Sequence, residues 1–440
     1  MLSLLSRRSA AAVAAVAAIA APAHADPKRD VPDYDGRGNP DADGESWALW
    51  IPRVLLSPLY VANEYVLRRP LGALAGHAER GRWTDSIAHL FTFGEAGHST
   101  VVPIASFDLG VLPSAGAAYT HGALFAADNA LELRFATWGP RRIEASAADR
   151  YAIDAADRVE LGAALDRAAD QLFVGLGPDA RRELRSRYGV ERISASAGYH
   201  RRLTGAARIT AESGVRHVAF FTGECCGDPS LDTRIAHGEA MAPPGYRDDY
   251  TAGFGRAALT IDTYRPAEDG GTTGYLQLRG APGIAAGRSW IGYGAAIGGA
   301  IDLTGHHRRL SAQIALDFVD RITGDPVPFT EYPALGGELM PGFLAGWMTG
   351  RSTATAQLAY TWPLWLALHA QTRLAIGNAF DAHLAGAAPG VLRLSGDLAL
   401  MSTAERDRGF ELVLGLGTET FEQGAAITSL RVMLGSKRGL

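Results

Sequence analysis

The chain has 440 residues, of which 47% are hydrophobic and 20% charged, and its formal net charge is -5 at pH 7. This charge excludes the basic footprint of a nucleic-acid-binding protein. Its 2 cysteines are too few for a disulfide framework. The length allows one large domain or two to three small ones.

The first 25 residues have the pattern of a secretory signal peptide. Two arginines precede the apolar run "AAAVAAVAAIAA", and the small residues of Ala23-His24-Ala25 form a cleavage site. The run is shorter than the roughly 20 residues that a transmembrane helix needs. We therefore predict residues 1–25 as a signal peptide and a mature chain that is secreted.

Two segments without strand pattern come next. Residues 26–46 are polar, acidic and rich in proline and glycine, which predicts a flexible linker. Residues 47–99 are predicted to be helical, because Ser57 and Pro58 form a helix start and apolar residues then recur at helical spacing.

From about residue 100 the hydrophobic period changes from helical to two. In "LRLSGDLAL" (392–400) leucines alternate with arginine, serine and aspartate, which is typical of strands with two different faces. The predicted strands are 101–110, 115–125, 129–139, 141–151, 158–174, 186–203, 206–221, 250–264, 273–282, 288–303, 308–322, 350–363, 366–379, 391–403, 408–420 and 426–435.

The connections between these strands differ by rim. Those after even-numbered strands are mostly short turns, whereas those after odd-numbered strands include the long segments 222–249 and 323–349, as in outer-membrane barrels. A soluble sandwich alternates in the same way. Secretion, strands of ten or more residues, and aromatic residues near strand ends favour the barrel. We therefore predict an all-β fold, a 16-stranded antiparallel transmembrane β-barrel, over residues 100–440.

The polar residues of the strands are predicted to line the lumen. An arginine on the lipid side near the middle of a bilayer costs about 2 to 4 kcal/mol, so arginines should point inward and leucines outward. The predicted lumen residues are Arg279, Asp317, His369, Arg373, Arg393 and Asp397.

The long segment 323–349 contains "EYPALGGELMPGF" (331–343), which is too apolar for a simple linker. Loops beyond about 12 to 15 residues without structure of their own are uncommon and are usually functional or disordered. Gly336, Gly337, Pro341 and Gly342 fall in it. With the strands numbered as above, it is the sixth outer loop.

Several motifs in this order resemble the BamA/TamA-type bacterial surface antigen family. "PALGGELMPGF" is similar to the family's "LGG...RG[FY]" loop motif, "AYTWPL" (359–364) to its "EYRxPL" strand, and "RVMLGSKRGL" (431–440) to its "GSxRGF" ending. The resemblance covers roughly residues 95–440. It implies a sixteen-stranded outer-membrane barrel whose sixth outer loop folds back into the lumen.

The chain also departs from the family pattern. Pro341 replaces the loop arginine, and Ala359 and Thr361 replace the charged residues of the strand motif. We therefore expect the loop to be held inward by Leu335, Phe343 and glycine turns rather than by an ion pair. The client-receiving periplasmic repeats of the family have no counterpart in residues 26–99, so the helices are expected in or under the periplasmic mouth. A loop that only plugs the lumen is an equal alternative.

The leading functional hypothesis is an integral outer-membrane protein of a Gram-negative bacterium with a translocation- or assembly-like activity. Pro103 cannot donate a ladder hydrogen bond, which predicts a weak seam between the first and last strands. The alternative is a passive or plugged pore for small solutes. An adhesion role of loop 222–249, which contains four aspartates, stays open.

An enzyme is not predicted, because the GxSxG motif is absent and no serine nucleophile is recognisable beside a base. No cofactor or metal site is expected: Cys225 and Cys226 are adjacent, the usual disulfide geometry is unavailable to them, and a single pair is weak evidence for a soft metal. The expected partners of a monomer are outer-membrane lipids, the barrel-assembly machinery and a periplasmic scaffold protein.

Overall fold

Sixteen long strands and one two-residue strand form a single antiparallel sheet, and the last long strand pairs with the first. The predicted fold, a 16-stranded antiparallel barrel, is therefore confirmed. The computed structural model describes residues 92–93, 98–126, 128–178, 180–263, 272–303, 308–365, 368–402 and 409–437. The predicted signal peptide, the predicted linker and the predicted helical segment as far as residue 91 lie outside these residues.

The strand boundaries differ from the predicted ones by no more than three residues at either end. The barrel begins at Ser99 rather than at residue 100, and Thr92–Phe93 is extended although it falls in the segment predicted to be helical. The strands are β1 Ser99–Asp108, β2 Ser114–Gly122, β3 Asn129–Thr137, β4 Arg142–Ala152, β5 Asp157–Phe173, β6 Ser186–Arg202, β7 Ala207–Thr222, β8 Tyr250–Asp262, β9 Thr272–Ala285, β10 Arg288–Asp302, β11 Arg309–Gly324, β12 Ser352–Trp365, β13 Leu368–Phe380, β14 Arg393–Ser402, β15 Gly409–Thr418 and β16 Ile427–Lys437.

In the part of the chain that the structure describes, helical structure is confined to short pieces in the connections. One α-helix, Leu231–Ala236, is capped by the Ser230 side chain, which accepts a hydrogen bond from the Thr233 N–H. The 3₁₀ turns are Arg182–Leu184, Phe329–Glu331, Ala382–Leu384, Pro389–Val391 and Phe421–Gln423. Among the described residues, no helix is long and apolar enough to cross a bilayer.

The two faces of the strands differ sharply in burial, as period-two alternation requires. On β14, Arg393, Ser395 and Asp397 are buried, whereas Leu394 and Leu398 are exposed. Exposed leucines, isoleucines and valines also mark the outward faces of most other strands. An apolar surface of this extent is stable only against an apolar solvent or a partner.

At the rim where odd-numbered strands end, which we call the long-loop rim, an aromatic cluster fills the lumen beside β6 and β7. Phe329 is at its centre, with ring centroids 5.2 Å from Tyr188 and 6.1 Å from Phe220. Tyr246 adds a fourth ring from the loop between β7 and β8, 5.6 Å from Phe220. The two long loops are thus anchored to the inner wall.

The two adjacent cysteines form a disulfide with each other. They lie in a tight turn in which Cys226 has a φ of 63° and the Asp228 N–H donates to the Cys225 carbonyl, N to O 3.0 Å. The bond closes a local ring and joins no distant segments.

Candidate functional site at the inward loop and the seam

The connection between β11 and β12, residues 325–351, folds back into the barrel, and we call it the inward loop. Its two arms pair as short strands, Ala334–Leu335 with Met348–Thr349. Gly336 makes the turn possible, because its φ is 112° and a Cβ there would lie 2.0 Å from the Leu344 carbonyl oxygen. Glycine at position 336 therefore allows a tight reversal of the chain.

Apolar side chains seat this loop against the inner wall. Leu335, Met340, Phe343, Trp347 and Met348 are all at most 1% exposed. They form one cluster with residues of β5 and β13, among them Leu172, Ala375 and Ala379. Burial of each large side chain contributes about 1.5 to 3 kcal/mol relative to exposure. Leu335 and Phe343, which sequence reasoning singled out, both belong to this cluster.

The tip of the loop is held to β14, β15 and β16 through its backbone. The Gly342 N–H donates to Ser395 Oγ (2.7 Å), and Ser429 Oγ donates to the Gly342 carbonyl oxygen (2.7 Å). A Cβ on Gly342 would lie 1.9 Å from the Leu416 carbonyl oxygen, and one on Gly417 would lie 2.5 Å from the Phe343 ring. Glycine at both positions is what permits this close approach.

An arginine of the barrel wall contacts the tip of the inward loop. Pro341 carries no charge, but Arg431 on β16 donates through Nη1 to the carbonyl oxygens of Gly337 (3.2 Å) and Pro341 (3.4 Å). Sequence reasoning missed Arg431. Its signal was the strand pattern itself, in which Arg431 alternates with Leu430 and Val432 and so must face the lumen.

All six predicted lumen residues lie at inward positions of their strands, but they do not form one cluster. Arg373 and Asp397 form a buried ion pair, with Nη2 2.6 Å from Oδ2, and Glu411 is 3.6 Å from the same guanidinium. Arg279 and Asp317 form a second pair on β9 and β11 (2.6 Å), where both side chains are about one-third exposed.

The other two predicted lumen residues lie outside these two pairs. Arg393 is fully buried and donates to the carbonyl oxygens of Ala180 and Thr418, so it ties β14 to the loops of the long-loop rim. His369 lies four residues before Arg373 on β13, hence on the same inward face.

The seam between β16 and β1 is the shortest pairing of neighbouring barrel strands in the described part of the chain. It aligns three residue pairs, Asp108 with Met433, Phe107 with Leu434, and Ser106 with Gly435. Beyond them, the Leu109 N–H donates to the Val432 carbonyl oxygen (2.9 Å). By contrast, β6 and β7 align fifteen pairs, Tyr188 to Arg202 against Arg208 to Thr222.

Pro103 lies on the unpaired part of this seam. Backbone groups of alternate residues point to the same side of a strand, so Pro103 turns the same way as Leu109, which donates to β16. Its missing N–H therefore belongs to the seam edge of β1. Farther along, Thr92–Phe93 pairs with Ser99 and Thr100. Among the described residues, the edge of 101–105 has no strand partner.

A cavity of about 180 Å³ lies between the inward loop and the seam. Its lining includes Ser106, Arg373, Glu411, Arg431 and Gly435. In the described part of the chain, no group of three or more histidines, cysteines or acidic residues could hold a metal ion. The site is therefore a polar, charged space bounded by a weakly paired edge.

One contact corrects the sequence-based view that no serine lies beside a base. Ser99 Oγ is 2.7 Å from His121 Nδ1, and the Tyr119 hydroxyl is 3.2 Å from the same nitrogen. The strand register brings them together although 22 positions separate Ser99 from His121. Within the described chain no carboxylate hydrogen-bonds the ring, so the orienting group of a hydrolytic triad is not shown.

Comparison with known proteins places the fold but not the family. No protein family and no curated protein matches the sequence. The barrel is similar to the structure of BamA from Haemophilus ducreyi lacking POTRA domains 1–3, at TM-score 0.55 and 12% identity, over 77% of this chain and 70% of that chain.

Two further structures are CdiB from Acinetobacter baumannii and CdiB from Escherichia coli, at TM-scores of 0.48 and 0.49 and 11% identity. The matches cover 77% and 76% of this chain, and 60% and 62% of the respective CdiB chains. The likeness to BamA is one of fold. It agrees with the fold that the loop and strand motifs implied.

Proposed function

We propose that the chain is an outer-membrane barrel of a Gram-negative bacterium, with lipid around its outer face. The distribution of charge supports this placement. Arg373 and Arg393 are buried on the inner face, while Leu374 and Leu414 are 64% and 49% exposed on the outer face. Turning one such arginine outward would cost about 2 to 4 kcal/mol at mid-bilayer.

We further propose that the seam between β1 and β16 opens sideways, giving the protein a translocation- or assembly-like activity. The observation that carries this proposal is the three-pair alignment of the seam, with Pro103 removing a donor from the remaining edge. Segments with few backbone hydrogen bonds open at the lowest free energy. The inward loop lies on the lumen side of this edge and would contact a chain or solute that entered through the open seam.

A disulfide across the seam tests the proposal. A Cβ on Gly435 would lie 3.8 Å from the Ser106 Cβ, and disulfides have a mean Cβ to Cβ distance of about 3.8 Å. The variant is Ser106→Cys with Gly435→Cys, in a background where Cys225 and Cys226 are serine. Release of a trapped dye from phosphatidylethanolamine and phosphatidylglycerol vesicles should stop on oxidation and return on reduction.

A second disulfide within the wall is the matched control. A Cβ on Gly198 of β6 would lie 3.7 Å from the Glu160 Cβ of β5. Glu160→Cys with Gly198→Cys should therefore oxidise equally well without changing dye release. Equal dye release from the oxidised and reduced seam variant would rule out an opening seam.

The alternative function, a passive or plugged pore for small solutes, has one observation in its favour. A second cavity, of about 260 Å³, lies on the inner wall and is lined by polar side chains including Tyr275, Gln313 and Gln357. This alternative predicts that deletion of residues 330–345 raises ion conductance in planar bilayers and that the seam disulfide leaves conductance unchanged. Failure of the deleted form to conduct would count against a pore.

A further inference from the structure

We propose that Arg431 is a positioning residue that joins the seam to the inward loop, so that opening one loosens the other. This inference rests on the proposed opening of the seam and describes its regulation. It is carried by a single guanidinium that contacts three segments of the chain: β1, the inward loop and, through its own backbone, β16.

The contacts of Arg431 run in two directions. Toward β1, Nε donates to Asp108 Oδ2 (2.9 Å), and Nη2 lies 2.8 Å from the same oxygen as an ion-pair contact. Toward the inward loop, Nη1 donates to the Gly337 and Pro341 carbonyl oxygens, at 3.2 Å and 3.4 Å. Asp108 is itself one of the three β1 residues aligned with β16. The guanidinium therefore bridges the seam at one of its few paired residues.

The contacts between Arg431 and Asp108 are shielded from water. The side chains of Arg431 and Asp108 are 10% and 15% exposed, and hydrogen bonds between charged groups strengthen when water is excluded. The other carboxylate oxygen, Asp108 Oδ1, is buried without a hydrogen-bond partner in the described structure. Arg431 is thus the hydrogen-bond partner that holds the Asp108 carboxylate, and Asp108 itself has no hydrogen bond to the loop.

The planar fork of arginine is what allows this double role. Its donors are fixed in two directions, so one edge can hold a carboxylate while another N–H reaches backbone carbonyls. If β1 leaves β16, Arg431 loses the carboxylate that orients its guanidinium, and the loop loses an ordered donor. If the loop leaves, the guanidinium loses the contacts that orient it toward Asp108. A coupling of this kind acts equally in both directions.

Hydrogen exchange of the full-length protein in detergent micelles tests the coupling. Asp108→Asn removes the charge across the seam without removing any atom that touches the loop. We expect exchange to become about ten- to a hundredfold faster, as for loss of a charged hydrogen bond. The acceleration should occur both at the seam amide of Leu109 and at the loop amides of Gly337 and Phe343, which bond within the loop.

Asp317→Asn is the matched control, because Asp317 also pairs with a lumen arginine, Arg279, but away from the seam. It should leave exchange at both the seam and the loop unchanged. Protection of β6 and β7 amides verifies that each variant is folded. Should Asp108→Asn unfold the barrel, Arg431→Lys serves instead, since it keeps the charge but not the fork, and it should accelerate exchange in the loop by several-fold.

Faster exchange at the seam with an unchanged loop would overturn the coupling, as would equal effects of Asp108→Asn and Asp317→Asn. These outcomes are separate from the vesicle experiment. If the seam disulfide stops dye release but the loop does not respond to Asp108→Asn, the seam opens without coupling to the loop. If the loop responds but the disulfide does not change dye release, Arg431 couples the loop to a seam that does not open.

Discussion

The two sides of the barrel are built from the same alternating pattern but hold together very differently. On one side β6 and β7 align fifteen residue pairs, and on the other β16 and β1 align three. Local opening draws on the regions with the fewest protected hydrogen bonds. The alternating pattern of the strands therefore accounts for closure of the barrel. The number of residue pairs between two neighbouring strands determines where the barrel can open.

The ion pairs of the lumen differ in the opposite direction, because the pair nearer the seam is the more buried one. Near the seam, the side chains of Arg373 and Asp397 are 9% and 0% exposed, whereas those of Arg279 and Asp317 on the far wall are 35% and 27% exposed. The inward loop covers the first pair and leaves the second to the solvent of the lumen. Loss of one partner should therefore lower the free energy of unfolding by different amounts in the two pairs.

The largest expected effect comes from breaking the buried pair. Arg373→Met leaves Asp397 buried and Glu411 without its nearby arginine, which should lower the free energy of unfolding by about 3 to 5 kcal/mol. Arg279→Met breaks a solvated pair and should lower it by about 1 kcal/mol or less. Urea unfolding in phospholipid vesicles measures both. Similar values for the two variants would contradict the difference in burial.

Most of the barrel could be predicted from the sequence, because period-two alternation is a local property of each strand. "LRLSGDLAL" and "LSAQIALDF" specify their faces without reference to any neighbour. The inward position of the loop is implied by the resemblance of residues 333–343 to the family's loop motif, because glycines and apolar residues alone do not say where a loop lies. The same reasoning placed Leu335 and Phe343 in the contact with the wall.

The details that decide the site depend on register, which no single strand carries. Arg431 meets Asp108 across 323 residues of chain, and Ser99 meets His121 only because β1 and β2 pair in one alignment. Sequence spacing alone cannot rank these contacts, since each is one of many alignments that preserve the same inward faces.

A smaller effect is expected from the backbone contact at the tip of the inward loop. Gly342→Ala places a methyl group 1.9 Å from the Leu416 carbonyl oxygen, so the tip must shift. Overpacking of this kind costs about 1 to 3 kcal/mol. Gly280→Ala on β9 is the matched control, because a Cβ there meets nothing within 4 Å.

The measurement is hydrogen exchange at the loop amides of Gly337 and Phe343, which bond within the loop. Exchange should become faster in Gly342→Ala and stay unchanged in Gly280→Ala. A tip that tolerates the added methyl group would show that the loop is not seated through Gly342.

The smallest expected effect concerns pH and the loop between β7 and β8. Burial opposes ionisation of Asp232, but hydrogen bonds from Arg247 and Tyr246 outweigh it and lower the pKa of the carboxyl. A depressed pKa in the folded state stabilises the loop above the ordinary aspartate value of about 3.9. This stabilisation is lost as the pH falls through the depressed pKa.

The side chains of Arg247 and Asp232 are 37% and 33% exposed, so the pair contributes about 1 kcal/mol or less. Asp232→Asn should therefore accelerate hydrogen exchange in residues 231–248 by at most about fivefold at pH 6, after correction for intrinsic rates. At a pH below the depressed pKa the variant and the parent should exchange alike, because the parent carboxyl is then protonated. The seam amides should not respond to Asp232→Asn, since the aromatic cluster holds this loop to β6 and β7, away from the seam. A response there would mean that the two sides of the barrel are coupled more tightly than their contacts indicate.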